Sequence, residues 1–163
     1  MKNSPLSAVF DCNVFLQAAS RGESVAAKCL RLVEDGKARL YVCEEILTEI
    51  EGVLNRPEIR NHFRTLSDEI VGAFLLRLRK TAHFISDVPK KFDYPRDRDD
   101  EPYINLAAEA EADFLVSRDK DLLDLMTDYT IEAKQFRQKF RFLRVIEPLD
   151  FLKEMQKLED ENI

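Results

Sequence analysis

Ala112-Asp113-Phe114-Leu115-Val116-Ser117-Arg118-Asp119-Lys120-Asp121-Leu122-Leu123 is the stretch that decides the fold. Phe114 to Ser117 is a short apolar run that reads as a strand. An Ala-rich helical stretch precedes it and an acid-led helical stretch follows it. Near the start, Leu6 to Phe10 reads as a short buried strand that ends at Asp11.

Between and beyond these two runs, strands and helices alternate. Ser24 to Val33 has helical spacing and stops at Asp35-Gly36, and Leu40 to Cys43 is a second short strand. Glu44 to Leu54 is a helix with Ile46, Leu47, Ile50, Val53 and Leu54 on one face, closed or kinked by Pro57. Ser67 caps a helix marked by Ile70, Val71, Phe74, Leu75 and Leu78, and a strand over His83 to Val88 follows. A polar loop over Tyr94 to Glu101 feeds a helix from Pro102 to about Ala112. After the quoted stretch, Asp119 to Met126 is a short helix and Lys134 to Phe142 fits helix or strand. Leu143 to Ile146 is a last strand, and Leu149 to Leu158 a terminal helix. Such alternation predicts an α/β fold with a mainly parallel sheet of about five strands, flanked by helices on both faces in three layers.

The chain has 163 residues, the size of a single domain over 1–163, with the core at about 6–152 and the end of the terminal helix and a tail in 153–163. No apolar run approaches the roughly 18 residues of a membrane span, and the opening run is too brief for a signal segment. A cytoplasmic protein with no membrane partner is expected. Three cysteines, Cys12, Cys29 and Cys43, are odd in number and lie among apolar neighbours, which predicts reduced thiols. A net charge of −6 excludes a protein that grips nucleic acid through its whole surface. It leaves room for a nuclease whose carboxylates hold cations.

In open parallel sheets the working crevice lies at the carboxyl ends of the strands. Asp11 and Asp119 stand at or just past two such ends, Asp100 and Glu101 open the helix before the second strand, and Glu49 lies on a helix that follows a strand. Each acid alone has a plain reading as a cap, a turn or a surface carboxylate. Gathered in one place they repel unless a cation lies between them, and all-oxygen ligation suits Mg²⁺ or Mn²⁺. Hydrolysis of phosphodiesters is chemistry such a centre can perform.

These residues resemble the PIN domain family, and within it the bacterial toxin components of toxin-antitoxin pairs. The likeness runs from Ala8 to about Leu152. It rests on Val9-Phe10-Asp11-Cys12-Asn13, the EEILTEIEGVL helix from Glu44 to Leu54, Asp97-Arg98-Asp99-Asp100-Glu101, the 112–123 stretch and Val145 to Leu152. The resemblance implies a PIN-like fold and a metal-dependent endoribonuclease. Its catalytic acids would be Asp11, Glu49, Glu101 and Asp119, with Asp11, Asp100 or Glu101, and Asp119 on the metal. Asn13, Ser117 and Asp121 would support them. It also implies RNA as substrate, a small antitoxin protein as partner, and a homodimer. Lys134, Arg137, Lys139 and Arg141, interleaved with Phe136, Phe140 and Phe142, are candidate RNA contacts. The plain alternative for them is Phe inward and cations outward.

Two other readings compete. A PIN-like domain with a weak or inactive centre would serve as a binding or assembly module, for which Glu101 in place of the usual Asp leaves room. A phosphoryl-accepting Asp11 fits less well, because Asn13 stands where a haloacid dehalogenase wants a second Asp.

Overall fold

The computed structural model of the protein describes residues 5–162. The opening residues 1–4 of the segment weighed as a signal, and residue 163 of the expected tail, lie outside them. Five parallel strands form the sheet: β1 (Leu6–Phe10), β2 (Ala38–Val42), β3 (His83–Phe84), β4 (Phe114–Val116) and β5 (Arg144–Ile146), in the order β3-β2-β1-β4-β5. Ala8 is central, paired with Leu40 on one side and Phe114 on the other. Ala8, Val9, Phe10, Leu115 and Val116 are all buried, as strands covered on both faces must be.

The chain winds outward from β1 through β2 to β3, then returns to lay β4 on the opposite side of β1. The order therefore reverses between β1 and β4. Connections leave in opposite directions there and open a crevice beyond the carboxyl ends of the two strands.

The helices among the described residues are α1 (Cys12–Ser20), α2 (Val25–Glu34), α3 (Glu44–Leu54), α4 (Pro57–His62), α5 (Asp68–Thr81), α6 (Glu101–Glu109), α7 (Lys120–Leu123), α8 (Ile131–Lys139) and α9 (Pro148–Glu161). A turn of 3-10 helix at Asp124–Met126 follows α7. Helix α6 packs on β1, β2 and β4, while α2 and α9 pack on each other and on β2 and β4 respectively. Ser24, Ser67 and Thr130 cap α2, α5 and α8 by accepting the backbone N–H of Ala27, Ile70 and Ala133.

The α/β class, the five strands and their parallel sense are as the alternation predicts. Four local readings are corrected. Helix α1 lies where no helix is expected, burying Val14, Phe15 and Ser20. Pro57 opens a helix at its first turn, where its missing N–H costs nothing, instead of only closing one. The strand expected over His83 to Val88 stops at Phe84, and Asp87 lies at φ 54°, which no strand accepts. The stretch that fits helix or strand is α8, and it leaves Phe142 91% exposed instead of inward.

Phe151 of α9 is wholly buried and meets Phe10 and Phe114 edge to face, at ring centroid distances of 5.8 Å each. It ties α9 to the two strands that flank the crevice. Phe151→Ala is expected to cost about 3–5 kcal/mol in urea unfolding, whereas Phe142→Ala should stay within about 0.5 kcal/mol of the parent.

Candidate metal centre

Asp11 leaves the end of β1 with its backbone N–H donating to the Val116 carbonyl at 3.1 Å, so the β1–β4 ladder runs up to the acid itself. Its Oδ1 accepts the Val14 N–H at 3.1 Å and caps α1. Its Oδ2 accepts the hydroxyl of Ser117, the residue after β4, whose Oγ in turn accepts the Asp119 N–H at 2.9 Å. One buried hydroxyl thus joins the acids of the two strand ends. Asp119 Oδ1 accepts the Asp121 N–H at 2.9 Å and caps α7.

Opposite them, the polar loop turns back through Asp97 and Asp100, with the Asp100 N–H on the Asp97 carbonyl at 3.3 Å. Carboxylate oxygens of Asp97, Asp100, Asp119 and Asp121 all lie within 4.8 Å of one another. Asp100 is buried, and its Oδ2 has no hydrogen-bond partner. Burial first, then the charges of Asp119, Asp97 and Asp11, push its pKa up to about 8. Burial pushes Asp11 up to about 6 against the opposing hydrogen bond from Ser117. A buried oxygen without a donor, facing other carboxylates, lacks a positive partner. Hard oxygen donors are the set that Mg²⁺ or Mn²⁺ takes, so these residues fit such a cation.

The acids face a cleft of about 480 Å³ that also takes in Asn13, Glu49, Asp99 and Tyr103. The buried Tyr103 hydroxyl donates to Glu49 Oε1 at 3.1 Å. Burial, then Cys12 and Glu49, raise the Tyr103 pKa far above the ordinary tyrosine value, which keeps it a donor. Burial, then Glu49, pushes the neighbouring Cys12 thiol up to about 12, so it stays protonated.

Among the sequence candidates, Asp11, Asn13, Glu49, Asp100 and Asp119 line this one cleft, and Ser117 and Asp121 hydrogen-bond to the acids in it. Asp121 is also gripped by Arg96 at 2.7 Å. Glu101 is placed elsewhere: it accepts the Tyr94 N–H at 2.8 Å and Arg98 at 3.0 Å, with Lys90 at 3.6 Å. It lines a separate hollow with Cys43 and Asn105. Successive residues in a helical first turn point about 100° apart, so Asp100 and Glu101 cannot share the cleft. The acid from that turn that reaches it is Asp100.

None of Lys134, Arg137, Lys139 and Arg141 lines the cleft. Arg137 donates to the carbonyls of Leu125 and Asp128 at 2.8 Å each, and Lys139 to that of Lys91. These cations fasten α8 to its neighbours. Asp97, Tyr103 and Arg56 are cleft residues that the sequence reading passes over. Asp97 had a signal, since it stands three positions before Asp100 in a turn-forming run.

A family profile for the PIN domain matches residues 7–121, which contain every acid of the cleft. The chain belongs to the PIN domain family. It is also similar to an uncharacterized protein of Methanocaldococcus jannaschii, 29% identical over 157 residues that make up 96% of each chain. PIN domains are generally nucleases and usually use divalent metal ions. No helix among the described residues is long and apolar enough to cross a membrane.

Unfolded, both Asp11 and Asp100 titrate near 3.8; folded, they rise to about 6 and about 8. The native PIN domain holds protons that the unfolded chain has released. The stability contributed by these two groups therefore falls as pH rises through that window and is gone above about 8. The Tm of EDTA-treated protein is expected to drop between about pH 5 and pH 8, and Asp100→Asn to flatten the drop. Added Mn²⁺ should raise Tm more at the upper pH, where it displaces fewer protons. A Tm independent of both pH and Mn²⁺ would contradict this account of the cluster.

Proposed function

We propose that this PIN domain is a divalent-metal-dependent endoribonuclease that hydrolyses RNA phosphodiester bonds. The observation that carries the reading is the buried, unpartnered Oδ2 of Asp100 among the carboxylates of Asp97, Asp119 and Asp121, with Asp11 beside them. Asp97, Asp100, Asp119 and Asp11 would hold Mg²⁺ or Mn²⁺. The ion supplies Lewis-acid chemistry, making water more acidic and offsetting charge that builds on the phosphate.

The chain's own residues supply position. Ser117 fixes Asp11 and Asp119 at one spacing, so the donors are arranged before any ligand arrives. Glu49, steadied by Tyr103, presents a carboxylate to the same cleft and orients the attacking water. Asp121 is matched by Arg96 and acts as a support. RNA as the substrate, a role as the toxin of a toxin-antitoxin pair with a small antitoxin protein over the cleft, and a homodimer rest on the resemblance of the sequence to bacterial PIN toxins.

The test is cleavage of mixed structured and single-stranded RNA in Mg²⁺ or Mn²⁺ against EDTA. Asp100→Asn and Asp119→Asn are expected to lower the rate by about two orders of magnitude or more. Glu101→Gln, if its folded state is intact by circular dichroism, should retain most of it. Intact RNA under every metal condition, with folded protein, would reject the nuclease reading.

A further inference from the structure

Two unlike sets of residues line the cleft. One is the acids Asp11, Glu49, Asp97, Asp99, Asp100 and Asp119. The other is aliphatic: Leu16 of α1, Val53 of α3 and Ile59 of α4 are half-buried, and each presents part of its side chain to the space. Among the described residues, Arg56 is the one cation that lines the cleft.

Arg56 differs from the arginines around it. Arg60 is committed to the carbonyls of Leu54 and Leu66 and to the side chains of Asn55 and Asp68. Arg118 donates to Gln17. Among the described residues the Arg56 guanidinium makes no hydrogen bond or ion pair, although six carboxylates line the same cleft. Its backbone is fixed nevertheless: the N–H donates to the Val53 carbonyl at 3.2 Å, and its carbonyl accepts from Ile59 and Arg60 at 3.1 and 3.0 Å. A free guanidinium on a held backbone is ready for a ligand with oxygen acceptors.

The chemistry of that ligand follows from the two sets of lining residues. A polynucleotide entering an acidic cleft is repelled by every carboxylate not matched by a cation, and a planar guanidinium can take a phosphate through two parallel N–H bonds. An aliphatic shelf beside it gains by covering its exposed carbon with the face of a base or ribose. We propose that Arg56, with Leu16, Val53 and Ile59, seats the nucleotide next to the scissile phosphate, the guanidinium on its phosphate and its base or sugar against the shelf. A base lying on that shelf is not paired, so the substrate is single-stranded at this position. The inference rests on the nuclease reading of the cleft and adds to it a substrate class and a positioning residue.

The test compares wild type, Arg56→Ala and Arg56→Lys in Mn²⁺ on a short fluorescein-labelled single-stranded RNA and on the same sequence annealed into a duplex. Cleavage gives KM and kcat, and anisotropy in an Asp119→Asn background gives binding against salt. Arg56→Ala is expected to raise KM about tenfold with kcat little changed, as loss of one charge-assisted contact would. The slope of log K on log salt should shrink by about 0.7, one phosphate contact on a single strand. Arg56→Lys should restore that slope and recover part of KM, and the duplex should be the poorer substrate. Cleavage by wild type with KM and salt slope unmoved in Arg56→Ala, or equal cleavage of the duplex, would overturn this inference and leave the nuclease reading standing. Neither binding nor cleavage by wild type would overturn both.

Discussion

Four carboxylates whose oxygens approach within 4.8 Å repel one another, and much of the local architecture consists of what holds them there. Asp119, one of the four, and Asp11 beside them are fixed from the sheet side. Parallel pairing of Phe10 with Val116 aligns the two strand ends, and the Ser117 hydroxyl stitches the acids that follow. Both acids also cap the helices they begin, so part of each carboxylate's charge is offset by backbone N–H groups. Capping and a role at the centre are therefore not rivals for these residues. Asp119 caps with one oxygen and leaves the other for the cleft, whereas the second oxygen of Asp11 takes the Ser117 hydroxyl.

The loop that delivers Asp97 and Asp100 has no regular structure and is held by side chains instead. The buried Tyr94 gives its hydroxyl to the Asp121 carbonyl and its backbone N–H to Glu101. Arg96 bridges Asp121 and Asp124 at 2.7 and 2.8 Å, with Asp128 at 3.5 Å. These ion pairs are partly exposed, so each is worth little to overall stability. Their effect is local, pinning the loop to α7 and so setting where Asp100 stands. Glu101 belongs to this scaffold. Its longer side chain reaches back to the Tyr94 amide, which a shorter Asp at the same position would not do from the same backbone.

The sequence carried most of the sheet because β1, β2, β4 and β5 fall on short apolar runs and most crossovers are helices with their own period. It carried Asp11, Glu49 and Asp119 because strand ends and a helix face can be read one element at a time. Helix α1 packs on α2, α3 and α5 with Val14 and Phe15 as its large buried side chains, and it was not read from the sequence. The choice between Asp100 and Glu101 depends on the rotation of one helical turn relative to the crevice, and sequence spacing does not encode that angle. Arg56 was illegible for a similar reason. Its placement depends on α4 starting at Pro57 and folding back beside α3, a turn read from sequence only as an ending.

A centre of this kind works against the fold that builds it. Keeping Asp100 buried with one oxygen unmatched costs stability that the large core must offset, and the metal-free state lowers that cost by holding protons. A cation removes the same cost by supplying the missing partner, so protons and metal compete for one set of oxygens. The acids alone would also repel a polyanionic strand. On the proposed reading, charge compensation would come partly from a bound ion and partly from a cation set apart from it, since an arginine paired with an ion ligand would occupy it. The division between Arg96, committed to Asp121, and Arg56, unengaged among the described residues in the cleft lining, would meet both needs.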